Sequence, residues 1–240
     1  MRNLNKHEKE AKEIAEKLQE FMVNANQIYE NNKLLSRSNY GESLIEAHRD
    51  VNAFIVSIIN KMDKPSDNVT ESESKRLAVI ASFIQGIDIT ERAISEGVYI
   101  QAFALVRQEL ETIAALEEIV LNKRKDQKTP NVKHVKWELA KVYGSLSGMA
   151  HVSDESLYLP LFSVGANGDA IPASIHPIYD ESISKQLYAL HVALLIQLAS
   201  SLEKLYVDMY NKKLTNIEYY IINEATEFLE KSGYIELKKD

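Results

Sequence analysis

The chain has 240 residues, with 28 Lys and Arg against 35 Asp and Glu, 8 Gly, 5 Pro and no cysteine. A chain of this length can bury a core without metal or disulfide staples, and the lack of cysteine excludes disulfides, zinc–thiolate sites, iron–sulfur clusters and a cysteine nucleophile. Few glycines and prolines beside abundant Leu, Ala, Glu and Lys exclude an all-β fold and indicate a mostly helical one.

The formal net charge of −7 offers nucleic acids no general attraction, so the composition gives no sign of DNA binding. The first residues, MRNLNKHEKEAKEIAEK, are charged throughout and lack the apolar core of a signal peptide. The longest apolar run, residues 187–199, is shorter than the ~20 residues that a membrane span needs. We therefore expect a cytoplasmic protein without a membrane partner.

A repeat of alternating three- and four-residue spacings predicts a long N-terminal helix over residues 1–35. Such spacing forms the a and d seam of a coiled coil. Two interpretations stay open: the helix lies across its own bundle, or it is the contact of a homodimer. The seam residues are Leu4, His7, Ala11, Ile14, Leu18, Phe21, Ala25 and Ile28.

Capping signals define the next two helices. A second helix is predicted over Glu42–Lys61, because Pro65 breaks the pattern that follows. Thr70-x-x-Glu73 has the spacing of a capping box, so a third helix is predicted to begin there. Gly97 suits the left-handed residue that closes it.

Residues 97–151 are predicted to form two helices around which the rest of the chain is arranged. The first is apolar on nearly every side, as a buried helix is. The second is predicted to be continuous from about residue 132 to His151. The lysine-rich loop between them, residues 122–133, is predicted to be a solvated connection rather than a phosphate contact.

The C-terminal part combines one predicted hairpin with two helices. Short apolar runs on either side of Asn167-Gly168 predict a small β-hairpin near residues 157–173. From Asp180 a long apolar helix is predicted to fill the centre of the bundle. Thr215-x-x-Glu218 is a second capping box, which begins a last helix over Asn216–Lys231.

The predicted fold class is therefore all-α: a multi-helix bundle of about seven helices with one small hairpin insertion. It is predicted to be a single domain of residues 1–240. Within it, residues 1–35 are the N-terminal helix, 70–212 the core bundle, and 215–240 the C-terminal helix and tail.

Three ionisable residues of the central pair are the candidate catalytic residues: Arg107, Glu111 and His151. Arg107 precedes Glu111 by four residues, the poorer order for an isolated helical ion pair, which favours a tertiary role. If the two helices pack antiparallel, Glu111 orients His151, and Arg107 holds a phosphate or carboxylate. The alternative is a polar network that fixes the register of the helices.

Tyr143 and Ser147 are the candidate ligand-binding residues, because helical spacing places them on the same side as His151. Gly144 and Gly148 nearby are typical of places where a backbone or ligand approaches. Glu111, His151 and Asp154 make only a weak metal set, since the chain has no HExxH, HxH or Glu-x-x-His spacing. We predict no metal and no cofactor.

The remaining histidines are interpreted as structural. His48 is predicted to be exposed on its helix, and His191 to be a single satisfied group in an apolar run. The chain has neither a Walker loop nor a dinucleotide fingerprint, which argues against nucleotide hydrolysis and NAD chemistry.

Leu105-Val106-Arg107-x-x-x-Glu111-Thr112, followed by Tyr143-x-x-Leu146-Ser147-x-x-x-His151, resembles a group of bacterial all-helical proteins over about residues 80–205. That group is similar to HEPN domains, the helical bundles of many toxin and antiviral ribonucleases. The resemblance implies a dimer in which Arg and His meet in a shared cleft. In the typical HEPN motif a His follows the Arg by four to six residues, whereas Arg107 and His151 lie on different predicted helices.

Two functional hypotheses follow. The first is a non-catalytic binding or interaction module of a defence or stress system, homodimeric through its long helices, which binds a protein or a small anionic ligand. The second is a HEPN-like, metal-independent endoribonuclease. In it His151 is the general acid or base on a 2′-hydroxyl, Arg107 stabilises the phosphorane charge and Glu111 orients the imidazole. The excess of Asp and Glu over Lys and Arg favours the first hypothesis. The ligand in the second hypothesis is RNA.

Overall fold

The computed structural model describes residues 6–62, 69–162 and 173–234. These residues form α-helices and short 3-10 turns and contain no strand, so the all-α prediction is confirmed. Within these described ranges, seven α-helices have eight residues or more, and one has four. The helices are α1 (Lys6–Asn39), α2 (Glu42–Lys61), α3 (Glu71–Ser95), α4 (Tyr99–Val120), α5 (Tyr143–Ala150), α6 (Glu155–Tyr158), α7 (Glu181–Tyr210) and α8 (Asn216–Lys231). The 3-10 turns are Val132–His134, Leu139–Val142 and Leu159–Leu161.

Helix α7 is the centre of the bundle, and α1, α2, α3, α4 and α8 all pack against it. Seventeen of its thirty residues are buried. The helix is long and apolar enough to cross a membrane, but 78% of its most apolar window is buried inside the fold. A core helix of a bundle meets the same length and hydropathy criteria, because it is apolar on all sides.

The predicted helix boundaries at Thr70 and Gly97 are confirmed. The Glu73 backbone N–H donates to Thr70 Oγ1 at 3.2 Å, and the Thr70 N–H donates back to the Glu73 carboxylate at 2.7 Å. Gly97 has a φ of 81°, which a residue with a side chain rarely adopts. Asn32 of α1 packs over this turn and donates to the Glu96 carbonyl at 3.0 Å.

The predicted hairpin is wrong in the part of the chain that the structure describes. Its first arm is helical, as α6 and the 3-10 turn Leu159–Leu161. Asp154 caps α6 by accepting the Ser156 N–H at 3.1 Å, a local helix-starting signal that the prediction from short apolar runs did not take into account. The predicted turn at Asn167-Gly168 lies outside the described residues.

The predicted continuous helix from residue 132 to His151 is also wrong. Only α5 is α-helical, and Trp137 and Glu138 have φ values of 59° and 57°. At this break the Lys136 N–H donates to Gln197 Oε1 of α7 at 3.0 Å instead of to a helical carbonyl. Tertiary contacts with α7 therefore override the local helical periodicity here.

Candidate functional site

Helices α4 and α5 pack antiparallel and bring all five predicted site residues together. Arg107, in the middle of α4, contacts His151, the residue that follows the last turn of α5. One turn later on α4, Glu111 contacts the residue that begins α5, Tyr143. The last member, Ser147, lies between the other two residues of α5. We call these five residues the Arg107 cluster.

The guanidinium of Arg107 is the hub of the Arg107 cluster. Its Nη1 lies 2.7 Å from His151 Nε2 and 3.5 Å from Ser147 Oγ. Its Nε lies 3.4 Å from Glu111 Oε1, within ion-pair distance, but has no hydrogen-bond partner among the described residues. Because arginine only donates hydrogen bonds, His151 Nε2 is the acceptor in this contact. The ring N–H of His151 is therefore assigned to the other nitrogen, Nδ1.

The carboxylate of Glu111 pairs with Tyr143 rather than with His151. The Tyr143 hydroxyl donates to Glu111 Oε1 at 2.7 Å. This hydrogen bond, together with burial, raises the pKa of Tyr143, so the phenol keeps its proton and remains a donor. The predicted orientation of His151 by Glu111 is therefore replaced by an Arg107–His151 contact.

The Arg107 cluster is open to solvent at its His151 end. His151 is exposed, whereas Arg107, Glu111, Tyr143 and Ser147 are partly buried. Three hydrogen-bonding groups, the Arg107 Nη1, the Ser147 hydroxyl and the His151 ring, thus meet at an accessible place. Two of these groups, the Arg107 guanidinium and the Ser147 hydroxyl, can donate to an anion, and the planar fork of an arginine suits phosphate or carboxylate in particular.

Two other sequence expectations about this region have clear outcomes. A Cβ placed on Gly144 would meet no atom within 4 Å, so no close approach explains that glycine. Asp154 caps α6 instead of joining Glu111 and His151.

The lysine-rich loop is exposed from residue 122 to 129, as predicted. Its Arg124 folds back to donate to the carbonyls of Lys125 and Lys128, both at 2.8 Å.

A second polar cluster joins α2, α3, α4 and α7, and we call it the His191 cluster. Its members are His48, Glu91, Glu109, Tyr188 and His191. His191 is completely buried, and its Nδ1 lies 2.9 Å from Glu109 Oε2. Its Nε2 points towards Glu91 Oε1 at 3.8 Å, too far for a hydrogen bond, and has no hydrogen-bond partner among the described residues.

His48 completes the His191 cluster and is not the exposed residue that the sequence indicated. Its side chain is only 15% exposed. Its Nε2 lies 2.9 Å from Glu91 Oε1, and its Nδ1 lies 2.8 Å from the Tyr188 hydroxyl. Two imidazole nitrogens therefore point at one carboxylate.

Charge is distributed unevenly in the His191 cluster. Burial lowers the pKa of His191, but the carboxylates of Glu109 and Glu91 outweigh it and raise that pKa to about 9. Burial raises the pKa of Glu91, but His191 and His48 lower it to about 2. Glu91 is thus an anion that faces both imidazoles.

The His191 cluster lies beside a cavity of about 470 Å³ between α1, α2, α3 and α7. His48 and Glu91 belong to its wall, so the two groups can be reached from outside. Three basic side chains also line it: Lys33, Arg37 and Arg92.

Sequence reasoning missed the His191 cluster because its members are far apart in the chain. No local spacing links His48, Glu91 and His191. Two signals were nevertheless visible: His191 interrupts the most apolar run, and Glu109 lies on a helix that is otherwise apolar nearly all round. A buried polar group needs partners, so each of these residues indicated that another polar group faces it.

Comparison of the chain with protein-family models, with curated proteins and with solved structures finds no match.

Proposed function

We propose that the chain is a non-catalytic binding module that captures an anionic group, a phosphate or a carboxylate, at the Arg107 cluster. The observation that carries this proposal is the position of Arg107 Nη1, 2.7 Å from His151 Nε2 and 3.5 Å from Ser147 Oγ. An incoming oxyanion can take the place of the His151 nitrogen as acceptor of the Arg107 hydrogen bond. Ser147 then offers a second donor on the same side.

The arrangement favours binding over catalysis for two reasons. The His151 nitrogen that faces the cluster accepts a hydrogen bond from Arg107, and this contact has to break before the nitrogen can take a proton. The carboxylate of the Arg107 cluster, Glu111, is engaged by Tyr143 and Arg107 and does not orient the imidazole. A general base needs a free nitrogen within hydrogen-bond reach of the proton that it removes.

The proposed module is a homodimer that forms through α1. In the described part of this helix only Asn32 and Ser36 are buried. Ile14 is 68% exposed and Leu18 57%, and Phe21 is 43% exposed although its ring stacks on His176. These residues continue the a and d seam, and a second copy of α1 carries the same seam and so can cover it. The proposed setting, a bacterial defence or stress system, rests on the HEPN-like resemblance alone.

Titration with inorganic phosphate, followed by NMR of the arginine Nε–Hε and histidine ring signals, tests the binding proposal. We expect saturable shifts at Arg107 and His151, and their loss in Arg107→Gln. Arg124→Gln, which removes a guanidinium from the exposed loop, is the matched control and should retain the shifts. Equal shifts in both variants, or none in the wild type, would contradict an anion site at Arg107.

The second candidate function is a HEPN-like, metal-independent endoribonuclease. It is favoured by the contact of Arg107 with an exposed His151, since one phosphodiester can then reach both side chains. Incubation of the protein with mixed RNA in EDTA tests it. Cleavage lost in both His151→Ala and Arg107→Ala would replace the binding proposal with this one, and cleavage unchanged in both would remove these residues from the reaction.

A further inference from the structure

We propose that His48, Glu91 and His191 bind one divalent first-row transition-metal ion, of the class that includes Zn²⁺ and Co²⁺. This site is separate from the Arg107 cluster and does not depend on the function proposed for it. Two imidazole nitrogens and one carboxylate form a donor set that such ions prefer.

The distances between the three donor atoms fit a common metal ion. His48 Nε2 and His191 Nε2 lie 2.9 Å and 3.8 Å from Glu91 Oε1, and all three atoms lie within 4.8 Å of one another. Ligands bound at about 2.0–2.2 Å to one ion lie roughly 3–3.8 Å apart at ordinary coordination angles. The set therefore needs only a small inward movement of one imidazole.

The unpartnered nitrogen of His191 is the second observation that indicates a ligand. The residue is completely buried, and within the described part of the chain its Nε2 has no hydrogen-bond partner. A buried polar atom without a partner is costly, so native proteins rarely retain one without a reason. A metal ion between His191 and Glu91 would provide the missing partner.

Both histidines are already held by their other ring nitrogens, as in known metal sites. Glu109 contacts His191 Nδ1 at 2.9 Å, and the Tyr188 hydroxyl contacts His48 Nδ1 at 2.8 Å. A carboxylate or hydroxyl on the far nitrogen fixes the ring and leaves Nε2 free to bind the ion. Sequence spacing did not indicate this arrangement, because each pair joins different helices.

Asn52 offers a fourth donor. Its Nδ2 lies 2.8 Å from His48 Nε2, which also lies 2.9 Å from Glu91 Oε1. His48 Nε2 cannot both accept a hydrogen bond from the Asn52 amide nitrogen and donate one to the Glu91 carboxylate. One of the two contacts is therefore unfavourable while the amide nitrogen of Asn52 faces His48. A half-turn of the amide, which leaves its shape unchanged, brings Oδ1 to this position. Asn52 then stands beside His48, Glu91 and His191 as a fourth donor for the proposed ion.

A purely structural role for the same residues makes a different prediction. A protonated His191 between Glu109 and Glu91 would form a buried ion pair that stabilises the bundle without any metal. In that case wild-type protein would bind Co²⁺ no better than variants that lack His48 or Glu91. Metal affinity, rather than stability, therefore separates the two roles.

The experiment is equilibrium dialysis of full-length, chelator-treated protein against Co²⁺, with the visible absorption of the bound ion as a second readout. We expect one ion per chain, and at least a tenfold loss of affinity in His48→Gln and in Glu91→Gln. His134→Gln, which removes a histidine outside the cluster, is the matched control and should bind as the wild type does. Far-UV circular dichroism of each metal-free variant establishes that it is folded.

Absence of saturable binding to the wild type would overturn the proposal, as would equal affinity in wild type, His48→Gln and Glu91→Gln. If Glu91→Gln fails to fold, His48→Gln decides the question, since His48 lies at the cavity and not in the centre of the core. Loss of binding in His134→Gln alone would place the metal elsewhere and would also overturn the assignment.

Discussion

The guanidinium Nη1 of Arg107 donates a hydrogen bond to Nε2 of His151 at 2.7 Å, although the two residues are 44 positions apart. This contact exists because the short helix α5 runs antiparallel to α4, so the end of α5 faces Arg107 and its start faces Glu111, one turn further along α4. It leaves the Glu111 carboxylate to pair with Tyr143 and places the Arg107 guanidinium beside an exposed imidazole. The proposed capture of an anion rests on this arrangement.

Tyr143→Phe tests whether the hydrogen bond from Tyr143 to Glu111 helps to hold Arg107 in position. The variant leaves Glu111 without the hydrogen bond of 2.7 Å, while the rest of the ring is retained. Because Glu111 is partly exposed and water can replace the phenol, we expect a loss of about 1 kcal/mol in the free energy of unfolding. Phosphate affinity should fall too, since Glu111 lies within ion-pair distance of Arg107. Urea denaturation and phosphate titration measure the two effects; unchanged affinity would show that Arg107 needs no such support.

Leu18→Glu tests the proposed dimer. A charge in the centre of the α1 seam should dissociate the dimer, because burial of an unpaired carboxylate is strongly unfavourable. Light scattering should then give the mass of one chain. Gln19→Glu adds the same charge to an exposed neighbour outside the seam and should remain dimeric. A wild-type protein that is already monomeric would contradict dimerisation through α1.

Glu218→Gln tests how α2 and α8 are held together. Glu218 is 2% exposed and accepts from Ser57 Oγ at 2.7 Å, from the Thr215 N–H at 2.8 Å and from Lys61. Burial raises the pKa of Glu218, but Lys61, Thr215 and Ser57 outweigh it and lower that pKa from 4.5 to about 2. A shift of that size corresponds to about 3 kcal/mol of stability.

Because the folded-state pKa of Glu218 is lowered, its stabilisation is fully present above about pH 4.5 and is lost as the pH falls towards 2. We expect Glu218→Gln to be less stable than the wild type at pH 7, and the difference to disappear near pH 2. Urea denaturation at several pH values measures this. Parallel stability curves across the whole range would show that Glu218 is not the group responsible.

A pair of glycine substitutions tests the turn between α3 and α4. Gly97→Ala should destabilise the protein by about 1–2 kcal/mol, because the residue has a φ of 81° and its new Cβ would lie 3.0 Å from Asn32 Nδ2. Gly86→Ala, inside α3 with open space around its Cβ, should stabilise it by up to about 1 kcal/mol. Thermal unfolding distinguishes the two; the same sign for both would refute this account of Gly97.

The local chemistry of the chain determined most of the helices and one half of the Arg107 cluster, the side of α5 that carries Tyr143, Ser147 and His151. Capping boxes at Thr70 and Thr215 and the glycine at position 97 act within a few residues, so a short window of sequence contains the complete signal. The spacing of Tyr143, Ser147 and His151 likewise needs only one helix to bring the three side chains to one side. The pairing across to Arg107 needed only that α4 and α5 pack antiparallel.

Tertiary structure alone decided the break at Trp137 and Glu138 and the His191 cluster. At the break, a hydrogen bond to Gln197 of α7 replaces a helical one, and nothing in the local sequence contains that partner. The His191 cluster joins side chains of four helices whose positions depend on how the whole core packs. Periodicity shows which face of a helix is buried, but only packing decides which polar groups meet there.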